Sequence, residues 1–122
     1  MRWVVHGNLT PAVADALRRH EHDAKPASEL TVPADAGPAG FLKAAQSAQL
    51  DVMTNDPTLV NAIFDDAILF NRCVVYLQLE GGDIEQDDAV DRLFKRYKRL
   101  TPGRLYTVTG SRVKVRQLPG QR

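Results

Sequence analysis

The sequence has a single cysteine and no long apolar run. Cys73 has no partner for an internal disulfide, so the core alone must hold the fold, and a reducing compartment is expected. No apolar stretch approaches the roughly 20 residues that a membrane-spanning helix needs. The apolar start of the chain is interrupted at His6 and Gly7, too early for a signal peptide. We therefore expect a cytoplasmic protein without a membrane segment.

An excess of charge of one sign is also lacking. The 16 Lys and Arg residues nearly balance the 15 Asp and Glu residues, so the net charge of +1 does not by itself announce a polyanionic partner. The distribution is uneven, because acids concentrate between residues 51 and 91 and the chain is strongly basic from residue 92 onward. A length of 122 residues with 43% hydrophobic content predicts one domain spanning residues 1–122.

Strand-like and helix-like segments alternate along the chain. Residues 23–39 contain three prolines, which predicts mostly loop with at most an edge strand. Two alternating segments flank Gly110 and Ser111 and predict a hairpin. The predicted strands are 3–5, 50–53, 74–79, 105–109 and 112–116, and the predicted helices are 11–20, 40–48, 58–69 and 83–100. This order predicts an α/β fold: a doubly wound, mainly parallel sheet with helices on both faces and a C-terminal antiparallel hairpin.

Three helix starts carry recognisable caps. Thr10 before Pro11 and Asp56 before Pro57 each combine a capping oxygen with a proline in the first turn. Asp83 and Gln86 have the spacing of a capping box. Asp56 is therefore explained as an N-cap even without a role in catalysis.

Several short motifs occur in a familiar order. The opening strand is followed by Asn8-Leu9-Thr10-Pro11, the first helix ends in His22-Asp23, and Thr54-Asn55-Asp56 follows a later strand. The apolar strand Val74-Val75-Tyr76-Leu77 and the basic segment 110–116 come next. Nearly end to end, the chain resembles the PIN-like domains related to toxin-type ribonucleases.

The resemblance implies a metal-dependent site at the carboxyl edge of the sheet. In that family several carboxylates hold Mg²⁺ or Mn²⁺, which activates water for RNA hydrolysis. Here Asp56 is retained as a metal ligand, but His6 stands where the family has an acid. Thr58 replaces a second acid, and residues 38–40 supply none. Asp56, His6, Asn8 and Thr54 are the candidate catalytic residues, and Glu29 or Asp35 is a candidate substitute for a lost acid.

A single secure carboxylate gives Mg²⁺ too little ligand charge to offset its dehydration. The resemblance then implies a non-catalytic or weakly active relative that acts as an RNA- or protein-binding module. The alternative is an active endoribonuclease of a toxin–antitoxin system, with Mg²⁺ or Mn²⁺ as cofactor where activity survives and none otherwise. RNA, an antitoxin-like protein and a second copy of the chain remain open as partners.

Two further groups of residues have both a functional and a structural interpretation. His6 and Asp56 could form an acid–base pair, but we favour a polar lock, in which a hydrogen bond between the two side chains only stabilises the edge. A metal site built from His6, His20 and His22 is disfavoured by their spacing. A basic face would bind RNA phosphates, with Tyr97 and Tyr106 available to stack. A solvated helix end and a charged edge strand explain the same residues. The basic residues are Lys95, Arg96, Arg99, Arg112 and Lys114.

Overall fold

The computed structural model describes residues 1–32 and 35–120. Strands and helices alternate through most of this part of the chain, as the sequence predicts. The strands are β1 Arg2–His6, β2 Asp23–Pro26, β3 Asp51–Thr54, β4 Val74–Leu77, β5 Arg104–Val108 and β6 Val113–Gln117. The helices are α1 Pro11–Arg19, α2 Gly37–Ser47, α3 Pro57–Asp65 and α4 Asp83–Arg96, with a short 3₁₀ turn at Ala27–Glu29.

The six strands form one sheet in the order β2-β1-β3-β4-β5-β6. Strands β1 to β5 are parallel and β6 is antiparallel to β5, which confirms the predicted α/β fold with its C-terminal hairpin. The chain leaves β1 toward the edge strand β2 and then crosses back to β3, so the winding direction reverses between β1 and β3. In doubly wound sheets, ligand crevices open at the carboxyl ends of the two strands that flank such a reversal.

Side chains of successive strand residues alternate between two cores. Trp3 and Met53 pack on one face with α1 and α4, whereas Val4 and Val52 pack on the other with α2 and α3. All four are fully buried, as expected for strands covered on both faces. Helices therefore lie on both faces of the sheet. Within the described residues, none of the helices combines the length and apolar character that crossing a membrane requires.

Several predicted boundaries are wrong. Helix α2 begins at Gly37, three residues before the predicted start at 40, because a proline in the first turn of a helix costs no hydrogen bond. Helix α3 ends at Asp65 rather than 69, and α4 at Arg96 rather than 100. Leu100 keeps helical spacing in the sequence but reaches the core from a non-helical segment. Strand β4 likewise ends at Leu77 rather than 79.

The predicted capping box at α4 is also wrong. Gly82 is the N-cap and makes no side-chain capping bond. Gln86 is buried, and its Oε1 accepts hydrogen bonds from the backbone N of Thr10 (2.9 Å) and from the Thr10 hydroxyl (3.2 Å). The amide of Gln86 donates to the Gly81 carbonyl at 3.4 Å. Gln86 thus joins the first turns of α1 and α4 instead of capping its own helix.

Three helices end in a left-handed residue that is not glycine. Glu21, Gln49 and Ala67 follow α1, α2 and α3 with φ of +67°, +59° and +48°. At α3, Ile68 N donates to the Ile63 carbonyl at 2.9 Å, which closes the helix. A side chain in this conformation costs about 1–2 kcal/mol because Cβ crowds the following carbonyl.

We expect Ala67→Gly to raise the free energy of unfolding by about 1 kcal/mol, since Ala67 is exposed and glycine removes the crowding. The matched control is Ala62→Gly inside α3, which should lower it by about 1 kcal/mol. Urea denaturation measures both. Destabilisation by Ala67→Gly would show that residue 67 does not adopt the left-handed turn.

Candidate functional site

The carboxyl ends of β1 and β3 lie side by side at the reversal of the sheet. His6, the last residue of β1, is the register partner of Thr54, the last residue of β3. The loops that follow the two strands begin with Gly7-Asn8 and with Asn55-Asp56. Three of the four candidate catalytic residues, His6, Thr54 and Asp56, therefore meet at one edge, as their positions after neighbouring strands predict.

The Thr54 hydroxyl is the central polar group of this edge. Thr54 is fully buried, its Oγ1 accepts the backbone N–H of Asp56 at 3.0 Å, and Oγ1 lies 2.9 Å from His6 Nδ1. The hydroxyl donates its proton to Nδ1 when the neutral ring is protonated at Nε2, and its second lone pair accepts from Nδ1 in the other tautomer. The predicted polar lock between the His6 and Asp56 side chains is therefore wrong: within the described residues, His6 bonds the Thr54 hydroxyl, which in turn accepts the backbone N–H of Asp56.

Asn55 joins the two loops at the same edge. Its Oδ1 accepts the backbone N–H of Asn8 at 2.9 Å. Gly7 has φ +86°, and a Cβ at Gly7 would overlap Asn55 Oδ1. The predicted site residue Asn8 therefore contributes its backbone N–H to this contact. The sequence alone does not distinguish Asn55, because an asparagine after a strand is an ordinary turn residue.

Asp56 caps α3, as its sequence context predicts. Its Oδ1 accepts the backbone N–H of Thr58 at 2.8 Å. Beside it lies a cavity of about 230 Å³ between the first turns of α2 and α3. The ring of His6 is 4.6 Å from that of Phe41, between centroids, on one wall. The lining residues are His6, Gly37, Pro38, Phe41, Asp56, Thr58 and Leu59.

Asp56 is the one carboxylate among these lining residues. Glu29 and Asp35 are exposed and do not line the cavity. Within residues 1–32 and 35–120, no three His, Cys, Asp or Glu side chains are placed to share a metal ion. The three histidines do not converge: His6 lies at the carboxyl edge, whereas the rings of His20 and His22 both pack against Phe94. His20 contacts Asp91 at 2.7 Å, and His22 accepts from the indole N–H of Trp3 at 3.4 Å.

The electrostatics of the edge favour a neutral imidazole. Burial lowers the pKa of His6 below its usual value, and the nearby charge of Asp56 opposes this only in part. Tyr76, the register partner of Thr54 on β4, has a raised pKa through burial and then through the charge of Asp56. Chemically, the cavity offers one carboxylate, one neutral imidazole and the wall of a phenyl ring. This set can exchange a proton or hold a polar ligand.

The predicted basic face is divided between separate surfaces. Lys95 and Arg96, near the end of α4, line a groove of about 330 Å³ with Arg112 of the β5–β6 turn and with Arg92. Arg99 lines a different pocket, at the amino edge of the sheet, and Lys114 lies on β6.

Neither tyrosine is freely available to stack. Tyr106 is 1% exposed, so the prediction that it is available for stacking is wrong. Its hydroxyl accepts the backbone N–H of Thr101 at 2.8 Å. Tyr97 is half-buried, with its ring edge-on to Tyr106 and the Arg96 guanidinium 5.7 Å from its centroid.

Comparison with known proteins adds no family assignment. The chain matches no protein-family model, and neither the curated proteins nor the solved structures include a significant match to it.

The lowered pKa of His6 predicts a loss of stability in mild acid. The unfolded chain binds a proton to His6 more readily than the folded chain does. The stability contributed by the neutral ring is therefore present above the usual pKa of 6.5 and is lost as pH falls toward the folded value. His22, whose pKa is also lowered by burial, acts in the same direction.

We expect the free energy of unfolding, from urea titration, to be smaller at about pH 5 than at about pH 7.5. His6→Asn should remove part of this difference, because asparagine does not titrate, while the contribution of His22 remains. An unchanged pH dependence in His6→Asn would show that His6 keeps an ordinary pKa. Titration of the histidine ring protons by NMR assigns the effect to each residue.

Proposed function

We propose that this chain is a PIN-like domain that binds RNA through its basic groove and does not hydrolyse it by a metal-dependent step. The observation that carries the proposal is the groove of Lys95, Arg96 and Arg112. Within the described part of the chain, none of these three side chains has a carboxylate within ion-pairing distance, whereas the fourth basic residue, Arg92, pairs with Asp88 at 2.8 Å.

Unpaired cations along a groove suit the phosphate backbone of a single strand. Phosphate contacts release condensed counterions and give affinity without sequence preference. Arg92 also donates to the Thr109 carbonyl at 2.9 Å, which links α4 to the start of the β5–β6 turn. Arg112 stands at the other end of that turn, where its backbone N–H donates to the Thr109 hydroxyl at 3.1 Å. The groove is thus built on hydrogen-bonded backbone and does not depend on a free loop.

The carboxyl edge supports a non-hydrolytic role through its donor set. Mg²⁺ takes oxygen ligands at near-octahedral geometry and needs carboxylate charge to offset dehydration. The cavity beside Asp56 supplies one carboxylate, and one of its oxygens already caps α3. An imidazole fills the place of a second acid.

We expect Lys95→Glu with Arg112→Glu to weaken binding of a single-stranded RNA about tenfold or more. The slope of log Kd against log salt concentration should fall by about 1 to 2, because two phosphate contacts are lost. The matched control, Lys43→Glu with Arg104→Glu, makes the same charge change at exposed positions outside the groove. Fluorescence anisotropy over a salt series measures both.

Equal weakening by the control pair would show that total charge and not the groove governs binding. Absence of RNA binding by the wild-type chain at low salt would contradict the proposal outright.

The PIN-like part of the proposal is tested by restoring acids in the cavity. Gly40 is unsuitable, because a Cβ there would overlap that of Ala36. Thr58 is exposed in the first turn of α3, where a carboxylate is favourable. We therefore choose His6→Asp with Thr58→Glu, which places two new carboxylates beside Asp56.

Repulsion should raise the pKa of at least one new carboxyl group, so the variant should be less stable than the wild-type chain near pH 7 and recover in acid. Mg²⁺ or Mn²⁺ should raise the melting temperature of the wild-type chain by about 2 °C or less. The same ions should raise the melting temperature of the variant several times more. Thr31→Asp with Asn61→Glu adds the same charge elsewhere and should show no metal response. If His6→Asp with Thr58→Glu shows none either, the PIN-like placement of the site is wrong.

A further inference from the structure

A second cationic pocket lies at the opposite, amino edge of the sheet. It encloses about 500 Å³, within the range of small-molecule sites. Its walls come from the starts of β1 and β3, from the residues before β4, and from the segment that follows α4. It shares no lining residue with the basic groove or with the cavity beside Asp56.

The charged lining of this pocket is mainly positive. Arg72, Lys98 and Arg99 face one carboxylate, that of Asp51. Arg72 pairs with Asp51 at 3.3 Å. Within residues 1–32 and 35–120, Lys98 and Arg99 have no carboxylate within ion-pairing distance, and both are exposed. The pocket therefore holds two uncompensated cations at its mouth.

Arg72 and Asp51 form a fixed wall beneath them. Asp51 is 2% exposed, and its Oδ1 accepts the backbone N–H of Cys73 at 2.9 Å. Asp51 in turn holds Arg72 through one terminal nitrogen. Arg72 Nε is buried and has no acceptor among the described residues. A buried N–H without an acceptor is costly, so an anion that draws the guanidinium toward itself would gain a charge-assisted hydrogen bond.

His22 adds a neutral polar group to the same pocket. Its Nδ1 accepts the indole N–H of Trp3 at 3.4 Å, so the proton of the neutral ring is on Nε2. Leu100 and Pro102 supply apolar lining. The pocket thus combines cations, a neutral ring and an apolar wall, which suits a compact anion attached to a less polar body.

We propose that this pocket binds a small phosphorylated molecule of about nucleotide size, with its phosphate groups between Arg72, Lys98 and Arg99. A phosphate or pyrophosphate group provides the multiple oxygens and the two or more negative charges that three cations can engage. This site is separate from the proposed RNA groove and does not depend on it.

Isothermal titration of the full chain with inorganic pyrophosphate and with ADP tests the site. Both probes should bind, and a tighter Kd for ADP would show that the nucleoside contacts the apolar wall. Lys98→Gln with Arg99→Gln should weaken binding of both about tenfold or more. The matched control is Lys95→Gln with Arg96→Gln, which removes the same charge from the same part of the chain but from the groove.

Both substituted pairs are exposed, so the fold should survive, and circular dichroism checks this. The control should bind the probes within about twofold of the wild-type chain. The proposal is overturned if neither probe binds up to about 1 mM, or if the control loses as much affinity as the pocket variant. It is also overturned if substitution of Lys98 and Arg99 weakens the binding of a single-stranded RNA but leaves the binding of pyrophosphate and ADP unchanged. Lys98 and Arg99 would then belong to an RNA-binding surface.

Discussion

The buried hydroxyl of Thr54 is the contact on which the carboxyl edge depends. It receives the N–H of Asp56 and bonds the ring of His6, so one group fixes the end of β3, the start of α3 and the end of β1. Asn55 adds a second bond across the same gap, to the backbone of Asn8. Because each loop is held at its first residues, hydrogen bonds fix the part of the cavity formed by His6 and Asp56, and the first turns of α2 and α3 form the rest. This is the arrangement that doubly wound sheets use to position polar groups at a reversal of strand order.

Periodicity predicted the sheet and its helices, since alternating burial and helical spacing are properties of the local sequence. Predictions from periodicity were wrong where contacts between distant segments determine the end of a helix or the partner of a side chain. Leu100 continues the helical pattern of α4 in the sequence, yet Tyr97 is extended with φ −125°, and Leu100 enters the core from outside the helix. Gln86 has the spacing of a capping residue of its own helix, but its side chain accepts hydrogen bonds from the backbone N–H and the hydroxyl of Thr10, the N-cap of α1. Position in the sequence also placed His6, Thr54 and Asp56 correctly, because parallel strands bring their carboxyl ends to one edge. It missed Asn55, whose role becomes visible only when the two loops are side by side.

The basic C-terminal part of the chain is a single feature in the sequence and more than one surface in the fold. Helix α4 ends at Arg96, and the chain then runs back along the amino edge of the sheet. Lys95 and Arg96 therefore face the β5–β6 turn, while Lys98 and Arg99, only a few residues later, face Arg72 and Asp51. A charge run read along the sequence cannot separate these surfaces, because the separation is made by where the helix stops.

The residue at position 6 also changes what the carboxyl edge needs for stability. A carboxylate there would sit beside Asp56 at the end of the neighbouring strand, and two like charges in a half-buried cavity repel, which raises the pKa of one of them or favours a bound cation. A neutral imidazole avoids this repulsion, because it hydrogen-bonds the Thr54 hydroxyl and leaves Asp56 to cap α3. The pKa of His6 is lowered because burial disfavours the charged ring more than the charge of Asp56 favours it. A carboxylate at position 6 would add a metal ligand and, in the same step, the repulsion that a metal would offset. With His6 in place, the edge keeps its shape through the hydrogen bonds of Thr54, Asn55 and Asp56.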